Sequence, residues 1–350
     1  NSGHVRIYDY NGSAWVQVGA DIDGEAVNDN SGSSVSLSSD GSRVAIGAPE
    51  NGGNGSSSGH VRIYDYDGSA WVQVGADIDG EAQGDALGYS VSLLSDGSRV
   101  AIGAPLNDAG NASSYSWGHV RIYDYNGSAW AQVGADIDGE AAYDNFGIDT
   151  SLSSDGSRVA IGAYRNGSND SGHVRIYQYN NNSWSQLGAD IDGEALDDGS
   201  GYSVSLSSDG SRVAIGALGN DGNGTASGHV RIYQYNNNSW SQLGADIDGE
   251  ALGDYSGASV SLSSDGSRVA IGAIANDGGG NNSGHVRIYQ YNNNSWSQLG
   301  ADIDGEDSGD ESGYSVSLSS DGSRLASGGY LNDGNGSSSG HARIYDYNGS

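Results

Sequence analysis

The chain has 350 residues and a formal charge of −31, from 45 acidic residues against 14 basic ones, every one an arginine. A chain this acidic repels nucleic acid and anionic membrane surfaces and suits cations or a basic partner. It contains no cysteine, which excludes disulfides and thiol chemistry, and no lysine, which excludes Schiff-base and phosphate-loop lysine roles.

The sequence GHVRIY begins at Gly3, Gly59, Gly118, Gly172, Gly228 and Gly284, and returns as GHARIY at Gly340. Nearly everything between two copies repeats as well, so the chain divides into units. Residues 1–32 carry the last two strands of a unit. Units 33–87, 88–145, 146–200, 201–256 and 257–312 are complete. Residues 313–350 carry the first three strands of another.

The unit 88–145 shows the elements in order. Its first strand, GYSVSL from Gly88, alternates small polar and apolar residues. Asp96-Gly97 then marks a tight hairpin. A second strand, RVAIGA, runs from Arg99 and is ended by Pro105. The third strand is GHVRIYDY from Gly118, with Val120 and Ile122 on one face and His119, Arg121 and Tyr123 on the other. Asn126-Gly127 marks the next turn, and AWAQVG from Ala129 is the fourth strand. Nothing has a helical period, and no stretch approaches the ~20 apolar residues of a membrane helix, so no membrane insertion is expected.

Four short antiparallel strands per unit, repeated, predict an all-β chain, a β-propeller of four-stranded antiparallel blades. The first strand is rich in Ser and Gly, as a crowded innermost strand requires. The fourth carries Trp15, Trp71, Trp130, Trp184, Trp240 or Trp296. Joining the two partial ends gives six blades. Seven blades, or a window cut from a longer array, are the alternatives.

The runs GYSVSL from Gly201, VAIGA from Val213 and GHVRIY from Gly228 together resemble the FG-GAP repeat, the blade unit of the integrin α-chain propeller. Phe146-Gly147 stands for the "FG", and Gly47-Ala48-Pro49 and Gly103-Ala104-Pro105 are literal "GAP" copies. The resemblance implies an extracellular, calcium-stabilised binding propeller, usually seven-bladed. It also implies a calcium loop between strands one and two. That position here holds only SDGS, around Asp40, Asp96, Asp155, Asp209, Asp265 and Asp321, too short and too poor in carboxylates.

A second acidic run follows strand four in every unit, with carboxylates at relative positions 1, 3, 5 and 9. These are Asp21, Asp23, Glu25 and Asp29; Asp77, Asp79, Glu81 and Asp85; Asp136, Asp138, Glu140 and Asp144. The later copies are Asp190, Asp192, Glu194 and Asp198; Asp246, Asp248, Glu250 and Asp254; and Asp302, Asp304, Glu306 and Asp310. Calcium loops use this spacing because a hard cation takes ~6–8 oxygens from one tight turn. Calcium (Ca2+) is therefore the cofactor expected. The same run also reads as an acidic surface turn anchored by its Ile. The Asn-rich loops after strand two, at Asn107-Asp108, Asn220-Asp221, Asn276-Asp277 and Asn332-Asp333, are weaker candidates, since Asn, Asp and Gly are ordinary turn residues.

His60, Arg62 and their copies read as hydrogen-bonding groups between blades, and Arg99 beside Asp96 as a turn-stabilising pair. Ser, His and Asp recur in every unit, so no unique catalytic set emerges and no enzyme is expected. Asn126, Asn223 and Asn335 head glycosylation sequons. The expectation is a non-enzymatic structural or adhesive propeller at a cell surface or in an extracellular matrix, part of a larger repetitive protein. Its partners would be copies of itself, a matrix or cell-surface protein, or a glycan. A carbohydrate-binding propeller is the alternative, and a propeller hydrolase or lyase a more distant one.

Overall fold

A computed structural model describes residues 2–108, 116–166 and 170–348. The fold is all-β, with no helix among the described residues, and its strands form six antiparallel blades of the β-propeller kind. The chain divides into two compact units, one of residues 1–156 and 179–185, the other of residues 157–178 and 186–350.

In the first unit, one blade is built from Ser34–Leu37, Arg43–Ala48, His60–Tyr66 and Trp71–Gln73, in that order across the sheet. The next is built the same way from Ser90–Leu93, Arg99–Ala104, His119–Tyr125 and Trp130–Gln132. Ahead of them, His4–Val5 pairs with Ile22–Asp23 and Tyr8–Tyr10 with Trp15–Gln17. In the second unit, two blades run Ser200–Leu206, Arg212–Ala217, His229–Asn236, Ser239–Gln242 and Ser256–Leu262, Arg268–Ala273, His285–Asn292, Ser295–Gln298. A three-stranded blade, Ser312–Leu318, Arg324–Gly329 and His341–Asp346, follows them. The strands Thr150–Leu152, Arg158–Ala163, His173–Asn180 and Ser183–Gln186 carry the remaining copy of the pattern.

One element differs from the sequence reading. The Ile-Asp of the acidic run, read as connection, is a two-residue strand that pairs back onto strand three. His60 opposes Asp79 and Val61 opposes Ile78; His229 opposes Asp248 and Val230 opposes Ile247. Strand three has seven or eight residues and strand four only three or four, so the His–Val end of strand three has no partner from strand four. Ile-Asp supplies the missing backbone groups, which a buried strand must find. The Ile side chain is anchored in the core, at Ile78, Ile137 and Ile247.

Strands two and three bury both faces in the blades that have a neighbour on each side, as at Arg43–Ala48, His60–Tyr66, Arg99–Ala104 and His119–Tyr125, whereas His341–Asp346 of the last blade exposes alternate residues. In the first unit, Ala45, Val61, Ile63 and Ile78 of one blade meet Leu93, Val100, Ile102 and Tyr123 of the next, with Trp130 half-buried against them. The Trp at the blade margin is thus part of the core. Its indole N–H also donates to a carbonyl of the preceding repeat: Trp71 to Val18 at 2.8 Å, Trp130 to Val74 at 2.9 Å and Trp240 to Leu187 at 2.8 Å. The arginine that opens strand two does not pair with the turn aspartate. Arg99 grips Asp124 of strand three through Nε at 2.6 Å and Nη2 at 2.8 Å, and its Nη1 donates to the Gly156 carbonyl of the next hairpin at 2.7 Å. A guanidinium fork suits two simultaneous bonds to a carboxylate, whereas the turn carboxylate is taken by its own serines. Asp96 accepts from the backbone N–H and hydroxyl of Ser98.

The glycine in strand two (RVAIGA) sits where a neighbouring strand one passes. A Cβ on Gly272 would fall inside the van der Waals envelope of the Gly313 carbonyl oxygen. Gly328 holds the same sequence position in the last blade, and there a Cβ would meet only Ser315, chiefly its rotatable hydroxyl. Gly272→Ala should therefore destabilise the chain by ~2–3 kcal/mol, and Gly328→Ala by less than ~1 kcal/mol, as read from chemical denaturation midpoints. Equal losses at the two positions would refute this account of blade spacing.

Candidate metal centre

The four carboxylates of one acidic run point to four different tasks. Position 1 lies beyond strand four and accepts from the strand-four glutamine: Gln73 Nε2 donates to Asp77 Oδ1 at 2.6 Å and Gln17 to Asp21 at 2.7 Å. The copies Asp136, Asp190, Asp246 and Asp302 have the same bond. Position 3 is the strand residue Asp23, Asp79, Asp138, Asp192, Asp248 or Asp304, fixed by backbone pairing. The carbonyl of position 3 accepts from an arginine one blade on, Asp23 from Arg62 at 2.8 Å and Asp248 from Arg287 at 2.8 Å.

Position 5 reaches that same arginine with its side chain. Glu25 lies 3.5 Å from Arg62, Glu81 3.5 Å from Arg121, Glu194 3.3 Å from Arg231 and Glu250 3.5 Å from Arg287. Glu306 pairs with Arg343. Position 9 turns inward. Asp29, Asp85, Asp144, Asp198, Asp254 and Asp310 are all buried. Asp85 accepts the backbone N–H groups of Glu81 and Ala82, and Asp144 those of Glu140 and Ala141. In the second unit a buried asparagine completes the shell: Asn220 donates to Asp198 at 3.2 Å, Asn276 to Asp254 at 3.1 Å and Asn332 to Asp310 at 2.9 Å. The Asn-rich loops therefore serve as braces for position 9 and for their own turns.

Among the described residues, the groups whose ligand atoms lie within 4.8 Å of one another are not single acidic runs. They take Glu from position 5 of one run, His from strand three of the next repeat, and Asp from position 1 of the next run. Four lie inside one unit: Glu25, His60, Asp77; Glu81, His119, Asp136; Glu194, His229, Asp246; and Glu250, His285, Asp302. The carboxylates are half-buried to exposed and the histidines almost fully buried.

Burial is the main cause that holds the imidazoles neutral. It pushes His60, His229 and His285 below their ordinary range, with the adjacent arginine adding to the effect. His119 is pushed down to about 4 by burial and then by Arg121, against the opposing pull of Asp136. A neutral imidazole nitrogen beside two carboxylates is a ligand set for a divalent cation. It is not a nucleophile with a base. The sequence reading assigned these histidines to hydrogen bonds between blades. Glu25 and His60 are 35 positions apart and belong to different repeats, so spacing within one repeat cannot reveal them. The one available signal was that His opens every copy of strand three.

Two of the cavities lie in the second unit. One of about 220 Å3 is lined by Ala245, Asp246, Ile247, Asp248, Tyr289, Ser295 and Trp296. The other, of about 200 Å3, is lined by residues that include Tyr164, Arg165, Asp197 and Tyr202. The sequon residues Asn126, Asn223 and Asn335 are exposed, and the Asn223 amide also donates to the Gly249 carbonyl at 2.8 Å. No family model matches this chain, and no curated protein is similar to it by sequence.

Asp254→Ala would strand the Ala251 N–H and the Asn276 amide in a buried turn, for a loss of ~1–3 kcal/mol, whereas Asp246→Asn should cost less than ~0.5 kcal/mol. Denaturation midpoints of the two variants check this. The histidines give a pH signature. His119 binds its proton less readily folded than unfolded, so its contribution is complete above its ordinary value near 6.5 and is lost as pH falls toward about 4. His60, His229 and His285 act in the same direction. Stability should fall across that window, and His119→Gln should flatten the fall. An unchanged slope would remove His119 as a cause.

Proposed function

We propose that this chain is a non-enzymatic structural or adhesive β-propeller of the FG-GAP kind, acting outside the cell or at its surface as one part of a repetitive protein. The observation that carries this reading is the equivalence of the blades. The same Glu, His, Arg and Asp recur in the same local setting in blade after blade. A catalyst needs one singular cleft with a distinct acid and base. A binding scaffold gains from equivalent surfaces, because several weak contacts act together. The net charge of −31 favours a basic or cation-bridged partner and disfavours nucleic acid. Calcium at an acidic run would be held by positions 1, 3 and 5, because position 9 accepts the backbone N–H groups of its own turn.

The second reading, carbohydrate binding, draws on the cavity that sets Trp296 and Tyr289 beside Asp246 and Asp248. Aromatic faces with adjacent carboxylates suit the apolar face and hydroxyls of a sugar ring.

Binding of the intact chain to surfaces coated with itself, with matrix protein or with a glycan panel tests both. On the scaffold reading, Trp240→Ala or Trp296→Ala weakens binding only in part, because the other repeats continue to hold. If Trp296→Ala alone abolishes it, the site is unique and the multivalent reading fails.

A further inference from the structure

Buried polar atoms in this protein are served by a neighbour almost everywhere, through hydroxyls, amides and backbone groups. The exceptions recur on strand three, at Nε of Arg62, Arg121, Arg231 and Arg287 and at the imidazoles of His119, His229 and His285, and His285 alone of these has both ring nitrogens unserved. His285 is 1 % exposed, yet neither its Nδ1 nor its Nε2 has a hydrogen-bond partner. Such an orphaned buried group calls for an explanation. Its Nδ1 faces Glu250 Oε2 at 4.0 Å and Asp304 Oδ1 at 4.0 Å, and Asp302 offers a further oxygen in the same group.

A separation of 4.0 Å is too long for a hydrogen bond. It is ~0.6 Å longer than the ~3.4 Å between two ligands of a tetrahedral ion bound at ~2.1 Å, a gap that a side-chain rotation of the half-exposed Glu250 can close on an ion. The charges also fit. Glu250, Asp302 and Asp304 bring three negative charges, and Arg287, 3.5 Å from Glu250 Oε1, brings one positive charge. The remaining two are what one divalent cation neutralises. Arg287 holds one oxygen of Glu250 and leaves Oε2 turned toward the imidazole.

We propose that Glu250, His285, Asp302 and Asp304 form a binding site for a divalent transition cation of the zinc class, repeated in weaker form at Glu25–His60–Asp77, Glu81–His119–Asp136 and Glu194–His229–Asp246. Imidazole nitrogen selects this class, whereas calcium takes ~6–8 oxygens and gains nothing from a nitrogen. The ligands come from two successive acidic runs and the strand between them, so the ion would tie one blade to the next.

Isothermal titration of the chelator-treated intact chain with zinc chloride, and in parallel with calcium chloride, tests the site. The expected result is saturable zinc binding that excess calcium does not displace, with one equivalent fewer in His285→Gln and in Glu250→Gln. Glu250 is half-exposed, so Glu250→Gln carries the test if His285→Gln loses its sheet circular dichroism. Zinc should also shift the imidazole proton resonances of the wild-type chain. No zinc binding would mean that water alone fills the gap and would overturn the proposal. So would zinc binding unchanged in Glu250→Gln, or displaced by calcium.

Discussion

The spacing between blades depends on one backbone contact. In strand two a glycine, at Gly47, Gly103, Gly216 and Gly272, faces the carbonyl of a glycine at the start of the following blade, with no room for a Cβ between them. This close approach fixes everything farther along the blade. It lets the Ser34 hydroxyl reach Gly88 O at 2.7 Å and the Ser259 hydroxyl reach Gly313 O at 2.7 Å. It brings Arg43 to the Gly97 carbonyl at 2.8 Å, with its guanidinium over the Tyr125 ring at 5.0 Å. At the blade margin the gap is wider, and Trp fills it. The taper from glycine to indole follows the divergence of the strands.

The same spacing builds the polar groups. Within each unit, Glu of one acidic run arrives beside His and Arg of the next strand three, as Glu81 does beside His119 and Arg121 and Glu250 beside His285 and Arg287. The acidic run is therefore a joint between repeats. Its Ile is anchored in one core, its ninth residue caps its own turn, and its fifth reaches across to the neighbour. Four carboxylates at calcium-like spacing need not converge, since a two-residue strand in the middle of the run sends alternate side chains to opposite faces.

Much of the blade was legible in the sequence because its signals are local. Strand one alternates with period two, the hairpin has Asp-Gly at its centre, and Val and Ile of strand three share a face. Asp40 and Asp321 behave as the hairpin reading requires: backbone N–H and serine hydroxyl bonds hold their carboxyls down to about 2. What was not legible depends on contacts between repeats. Ile78-Asp79 is too short to show a period. Asp77 and Asp85 look alike in sequence, yet one meets a glutamine at the surface and the other is sealed in a turn. Arg99 and Asp96 are neighbours along the chain, but the fork of Arg99 fits Asp124 across the strand pair. The Glu–His–Asp groups were hidden for the same reason, since no repeat contains one whole.

The charge of the chain takes on a different meaning once each carboxylate is placed. The position-9 aspartates are neutralised locally by backbone N–H donors, and the position-5 glutamates are paired with arginine. Among the position-1 aspartates, Asp21 lies 3.7 Å from Arg6 and Asp190 3.5 Å from Arg175, whereas Asp77 and Asp246 accept from a neutral glutamine and sit beside the paired glutamate of the preceding run. Like charges held this close repel, and salt screens them only beyond ~8–10 Å. Repetition multiplies the cost, because any mismatch in one joint recurs in every joint. A cation at that end of the blade would relieve the repulsion in each repeat at once, while arginine alone, one per joint, leaves an excess of negative charge. The arginine and the cation are then complementary: the first fixes the orientation of the glutamate, and the second balances what the arginine cannot.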